Sequence, residues 1–302
     1  MTDRDILWLD QSEAQAFAQV GGKAAQLSRL LAHHCTPLGF CVTTAAYDRW
    51  LPTLAPTTEP TTEPTTDREM QPLPEPLQAA IRDAYQELAR RCGEEQLRVA
   101  VRSSAVGEDG QSASYAGQYE SYLNRVGAPA VIEAVARCWA AGHSTRVQTY
   151  AQRQGKGGET LKMAVLVQQL VVADVALVAF SCNPITGRND EVVINASWGL
   201  GESIVSGTVT PDTYIVQKHT GAIQEQIAAK EVMTILSNAG TREVMVPRVL
   251  QERATLTAAQ VLAVAELAQA LEQHMGWAVD IECAWQQNRL YLLQCRPVTT
   301  KR

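Results

Sequence analysis

The sequence predicts a protein of mixed α+β class, and three observations carry that expectation. Through the first half, segments with apolar residues at helical spacing alternate with short apolar runs. From Leu161 onward strand patterns dominate, joined by glycine-rich connections. One helix interrupts them with its own punctuation: Thr257 and Gln260 form a capping box, and Gly276 follows the last turn.

With 302 residues, 46% hydrophobic and 19% charged, the chain can bury a large core as one large domain or two close lobes. A net charge of -6 argues against the broad basic field of a nucleic-acid binder and leaves room for a local basic pocket. The start, Met1-Thr-Asp-Arg-Asp-Ile6, carries no readable secretory signal. The richest apolar stretch, Ala164 to Phe180, contains Gln168, Gln169 and Asp174, which is too polar for a membrane span and reads as two strands joined at Ala173-Asp174. Seven cysteines without a CxxC pair fit reduced thiols in a cytoplasmic protein.

In chain order, residues 5–9 form a short strand. Val20-Gly-Gly-Lys23 then leads into a helix in which Leu27, Leu30 and Leu31 recur at helical spacing, setting Lys23 near its start. Leu38 to Thr43 reads as a strand, 75–92 as a helix, 97–102 as a strand and 129–153 as a helix. Between them, 54–76 repeats Thr-Thr-Glu-Pro and has the composition of a flexible surface insertion. Further strands follow at 161–169, 175–181, 191–195 and 213–217, and 279–285 with 290–296 forms a terminal hairpin.

Three segments suggest chemistry. Gly21-Gly-Lys23 places permissive backbone and a cation beside a helix N-terminus, where amides and the dipole favour a phosphate, although a solvated lysine at a helix entry has the same pattern. Val101-Arg-Ser-Ser-Ala105, with Gly107-Glu-Asp-Gly110 and Ser114-Tyr-Ala-Gly-Gln118 after it, sets an arginine at a strand end before a loop of small and hydroxylic residues suited to polyphosphate. In the hairpin, a three-residue turn at Gln287-Asn288-Arg289 pairs Gln286 with Leu290, which sets Glu282 opposite Gln294 and Asp280 opposite Arg296. Two oxygen donors and a cation then share one surface, as Mg²⁺ and a nucleotide phosphate require; an Asp-Arg pair on a solvated face is the plainer alternative. Asn183-Pro-Ile-Thr-Gly187 and Trp198-Gly-Leu-Gly-Glu202 read as turns.

Taken in order, these segments resemble the N-terminal nucleotide-binding domain shared by phosphoenolpyruvate synthase, pyruvate phosphate dikinase and rifampin phosphotransferase. The resemblance rests on ten collinear pieces, among them Val20-Gly-Gly-Lys-Ala-Ala-Gln-Leu27, Val101-Arg-Ser-Ser-Ala105, Asn183-Pro-Ile-Thr-Gly187, Ala196-Ser-Trp-Gly-Leu-Gly-Glu202, Asp280-Ile-Glu282 and Leu293-Gln-Cys-Arg-Pro297. It implies an ATP-grasp-type domain over residues 1–302, with approximate lobes 1–200 and 201–302 clasping ATP. Residues matching Lys23, Arg102 and Arg296 contact the phosphates in that family, those matching Glu282 and Gln294 hold Mg²⁺, Gln168 lies at the adenine end and Ser121 near the phosphates. Lys230 stands where a lysine is common; Leu177 replaces a usual glycine and Asn195 a frequent glutamate.

Complete family members continue into a swivelling domain with a Thr-Ser-His phosphate acceptor, and none of His33, His34, His143, His219 and His274 sits in such a sequence. The resemblance therefore implies phosphoryl transfer from ATP to a histidine on a separate or downstream domain, with AMP among the products. A non-catalytic ATP-binding or regulatory subunit, and an ATP-grasp ligase releasing ADP, are the competing readings.

Overall fold

The computed structural model describes residues 4–51, 72–106, 109–110, 113–114, 121–142 and 162–298. The predicted insertion thus lies largely outside the described residues, as do the loop pieces at 107–108 and 115–120 and the second half of the helix expected at 129–153. Contacts divide the chain into two units: 1–28, 38–108 and 118–170 form the first, and 29–37, 109–117 and 171–302 the second.

In the first unit, β1 (Ile6–Trp8) precedes α1 (Phe17–Leu30), β2 (Gly39–Val42), α2 (Thr44–Trp50), α3 (Glu75–Cys92) and β3 (Arg98–Ala105). The short β4 (Asp109–Gly110) and β5 (Ala113–Ser114) belong to the second unit, after which the first resumes with β6 (Ser121–Val126), α4 (Ala128–Gly142) and β7 (Met163–Gln169). Five strands make an antiparallel sheet in the order β1-β2-β7-β3-β6. Alternation divides its residues cleanly. Val99 and Val101 of β3 and Val165 and Val167 of β7 enter a core with Tyr47, Trp50, Ile81, Leu88 and Trp139 from α2, α3 and α4. Ala100, Arg102 and Ser104 therefore face the other way, toward α1, whose N–H at Ala24 donates to Ser104 Oγ.

The second unit continues with β8 (Val175–Phe180), β9 (Glu191–Trp198), α5 (Glu202–Val205), β10 (Asp212–Gln217), β11 (Ile223–Gln226), β12 (Val232–Leu236), β13 (Thr241–Met245), α6 (Arg248–Gln251), α7 (Ala258–Met275), β14 (Val279–Gln286) and β15 (Arg289–Pro297). Its main sheet is antiparallel, in the order β11-β10-β9-β8-β14-β15. β8 and β9 lie between β10 and β14, so the strands expected at 175–181 and 191–195 build the second unit's sheet and do not belong to a first lobe ending at 200. The two strands read from Ala164 to Phe180 likewise enter different sheets.

Helix α7 covers one face of this sheet, touching β8, β9, β10 and β14. Its capping box forms as the sequence predicts, with Thr257 N–H donating to Gln260 Oε1 at 2.9 Å and Gly276 at φ 73° closing the far end. Replacing Thr257 by alanine deletes the two hydrogen bonds of its hydroxyl, which accepts from Gln260 N–H and donates to Gln260 Oε1; we expect a loss of about 1 kcal/mol, read as a drop of about 2–4 °C in a thermal unfolding midpoint. Leu177 is buried on this helix-covered face, opposite Cys283 and Ala196, so the departure from glycine fills core there.

Two glycine-containing turns have specific causes. In Asn183-Pro-Ile-Thr-Gly187 the Asn183 carboxamide oxygen accepts from the N–H of Ile185 and of Thr186, and its Nδ2 donates to buried Glu191 at 2.7 Å. Gly199 sits at φ 75° with the Thr234 carbonyl so close that a Cβ would lie 2.4 Å from its oxygen; no larger residue fits.

Candidate functional site

The seven residues singled out from the sequence divide four and three between the two units. In the first unit, the register gathers them on the face of the sheet that carries α1. Arg102 and Ser121 are direct cross-strand partners on β3 and β6, so their side chains emerge side by side. Gln168 on β7 is paired with Ala100, two residues from Arg102 and on the same face. It is buried at 2% exposure, and its Nε2 has no hydrogen-bond partner among the described residues. A buried amide N–H₂ in that condition costs free energy, and a ligand acceptor would offset it.

Lys23 reaches the same region from the helix. At Gly21 (φ 72°, ψ -179°) α1 kinks, and the helix restarts just before Lys23. The kink is required: a Cβ on Gly21 would lie 2.0 Å from the Ser104 carbonyl oxygen. Lys23 Nζ donates to the Ser103 carbonyl at 3.2 Å, one residue beyond the last pair between β3 and β6. Two cations, Lys23 and Arg102, therefore meet along one stretch of backbone beside a helix N-terminus, an arrangement that favours an anion. Neither Ser103 nor Ser104 has a role legible in the sequence segment Val101–Ala105 taken alone. The alternation of β3 is the signal that would have placed Ser104 on the face of Arg102.

In the second unit, Glu282 pairs with Gln294 and Asp280 with Arg296, the partners expected from the sequence. The route to that register differs. The turn has two residues, Gln287 and Asn288, at φ 47° and 64°, so Gln286 pairs with Arg289; Leu293 then bulges out of β15 between the pairs Cys283–Leu292 and Glu282–Gln294. The shorter turn and the extra residue cancel. Two oxygen donors, the Glu282 carboxylate and the Gln294 carboxamide, thus stand opposite each other, as a hard divalent cation requires.

Arg296 Nε donates to Asp280 Oδ2 at 2.8 Å, so the expected Asp-Arg pair forms. The carboxylate end is buried, Asp280 being 6% exposed beside Gln294 at 4%, while the Arg296 side chain is 30% exposed. Asp280 fixes the direction of the guanidinium by holding its inner nitrogen. Two strands away on the same face, Asn195 accepts the Thr213 hydroxyl at 3.0 Å.

Lys230 is drawn into the interior instead. Fully buried, it donates to Asp212 Oδ1 at 2.6 Å and to the Ala228 carbonyl at 2.8 Å. Asp212 Oδ1 also accepts from Ala228 N–H, and Oδ2 from the N–H and hydroxyl of Thr255. The bonds to Asp212 tie β10 to later loops, so this lysine serves the stability of the second unit.

Residues 17–302 match the pyruvate phosphate dikinase AMP/ATP-binding domain. The chain belongs to that family. It is 42% identical over 238 residues to the phosphoenolpyruvate synthase of Pyrococcus furiosus, covering 76% of this chain and 29% of that protein. The probable phosphoenolpyruvate synthase of Methanocaldococcus jannaschii is 37% identical over 316 residues, covering 98% of this chain and 27% of the relative. The rifampicin phosphotransferase of Streptomyces sviceus is 36% identical over 320 residues, covering 99% and 36%. The chain thus spans about a third or less of the length of these relatives. As a dikinase-type AMP/ATP-binding domain it uses ATP, with Mg²⁺ the usual companion of the nucleotide in the family. Among the described residues, no helix is long and apolar enough to cross a membrane.

Proposed function

We propose that this chain is the ATP-grasp-type nucleotide-binding part of a dikinase-type phosphotransferase and binds Mg-ATP. It passes the β-phosphoryl group to a histidine carried by a swivelling domain, either on a separate polypeptide or further along the same one, and leaves AMP. The observation that carries this reading is the first unit's single face, which holds Lys23, Arg102, Ser121 and a Gln168 whose buried Nε2 has no hydrogen-bond partner among the described residues. In this reading Gln168 meets the adenine end, the Ser121 hydroxyl donates to a phosphate oxygen, and Lys23, Arg102 and Arg296 neutralise charge on the transferring group. Glu282 and Gln294 would hold Mg²⁺, which when bound offsets phosphate charge and fixes phosphate geometry. No side chain of this chain need act as nucleophile, because phosphoryl transfer depends on positioning and charge stabilisation. The acceptor histidine is the partner's. A cytoplasmic site of action is part of this reading, supported by the seven cysteines standing as free thiols.

Product analysis tests the reading. The chain is incubated with Mg-ATP and a candidate swivelling domain, and we expect AMP together with an acid-labile phosphohistidine. Arg102→Ala should lower that transfer by on the order of 100-fold or more while leaving thermal unfolding unchanged. ADP as sole product, or full transfer by the variant, would sink it.

A further inference from the structure

We infer that Ser104 is a positioning residue for Lys23, acting as a helix cap supplied by a neighbouring strand. The inference rests on the reading of Lys23 as a phosphate-binding cation. After the kink at Gly21 the helix restarts with glycines, which have no side chain to satisfy its first N–H groups. Ser104 Oγ accepts from Ala24 N–H at 3.3 Å, the place and role of a cap side chain. Ser104 is 0% exposed, so no solvent competes for that bond.

The same strand holds the lysine at its other end. Ser103, the preceding residue, offers its carbonyl to Lys23 Nζ. Gly21 closes the third side, because only glycine lets the helix approach Ser104 at this distance. Three consecutive residues of β3 thus carry Arg102, the carbonyl that receives the lysine, and the hydroxyl that accepts from the first turn from which the lysine projects. A hydroxyl removed from this place leaves the fold's core contacts intact, since Ser104 faces away from the apolar cluster of α2, α3 and α4. It frees the helix start, and with it the direction of Lys23.

A purely structural serine and a positioning serine differ in what they do to ligands of different phosphate content. Calorimetric titration of the 302-residue chain with Mg-ATP and with AMP separates them. We expect Ser104→Ala to weaken Mg-ATP binding about tenfold, the size of one well-placed hydrogen bond, with AMP affinity within about twofold of wild type. Combined with Lys23→Ala it should add nothing to the loss caused by Lys23→Ala alone, because the two act as one unit. Ser104→Cys, which keeps the volume and offers a weaker acceptor, should fall between, and decides the matter if the alanine variant does not fold. Unchanged Mg-ATP affinity, equal losses for ATP and AMP, or additive losses with Lys23→Ala would overturn the role of Ser104. If Lys23→Ala itself binds Mg-ATP as well as wild type, the phosphate reading of Lys23 falls first and this inference with it.

Discussion

Replacing Lys230 by methionine should destabilise the second unit by about 3–5 kcal/mol, because it leaves the Asp212 carboxylate buried without its counter-ion. Both side chains are fully buried and 2.6 Å apart, so water cannot take over the missing contact. For a body of this size the change corresponds to a fall of roughly 10 °C in the unfolding midpoint. Asp212→Asn in the same chain should recover part of the loss. The amide keeps one oxygen, enough for the Thr255 N–H and hydroxyl that meet Asp212 Oδ2, and carries no charge to strand; the Ala228 N–H that meets Oδ1 loses its acceptor, so the recovery is partial. A fall of less than about 2 °C for Lys230→Met, or no recovery in the double variant, would contradict this account.

That pair also marks a limit of reading the sequence. A lysine in a strand-rich segment looks solvent-bound, and only the closing of the loop at 226–231 over β10 gives it a buried carboxylate. Elements whose signals are local were legible. The helix at 75–92 begins after Pro74 and stops at Gly93 with φ 71°, and the capping box at Thr257 lies within four residues. Elements whose signals come from tertiary context were not. β6 contains Asn124 at φ 55°, an irregularity opposite Ala100 that breaks the alternation a strand pattern depends on. β11 shows three exposed residues of four and sits at the sheet edge, so it has no apolar rhythm to read.

The hairpin shows how a right answer can rest on a wrong step. Gln287 has no special tendency to positive φ, so a two-residue turn was not evident, and nothing in Leu293 advertises a bulge. What the alternation did preserve was parity: Asp280 with Glu282 on one strand, Gln294 with Arg296 on the other. The bulge restored the pairs that the shorter turn had displaced, and the chemistry of the face survived.

On that face, Glu282→Gln should separate metal binding from folding. The substitution keeps size and one oxygen but removes the charge that favours a divalent cation over water. Transfer from Mg-ATP should fall by on the order of 100-fold at ordinary Mg²⁺, with most of the loss recovered as Mg²⁺ or Mn²⁺ is raised, because the defect is in occupancy. Gln294→Ala, which deletes the opposing oxygen donor, should show the same dependence on metal concentration in milder form. Asp280→Asn should behave differently. It loosens Arg296 without touching the oxygen pair, so its loss should persist at saturating metal. Titrating transfer against Mg²⁺ for the three variants therefore distinguishes a cation held between β14 and β15 from a carboxylate that serves only the arginine. If Glu282→Gln keeps the wild-type metal dependence, the pair of oxygens is structural and the metal lies elsewhere.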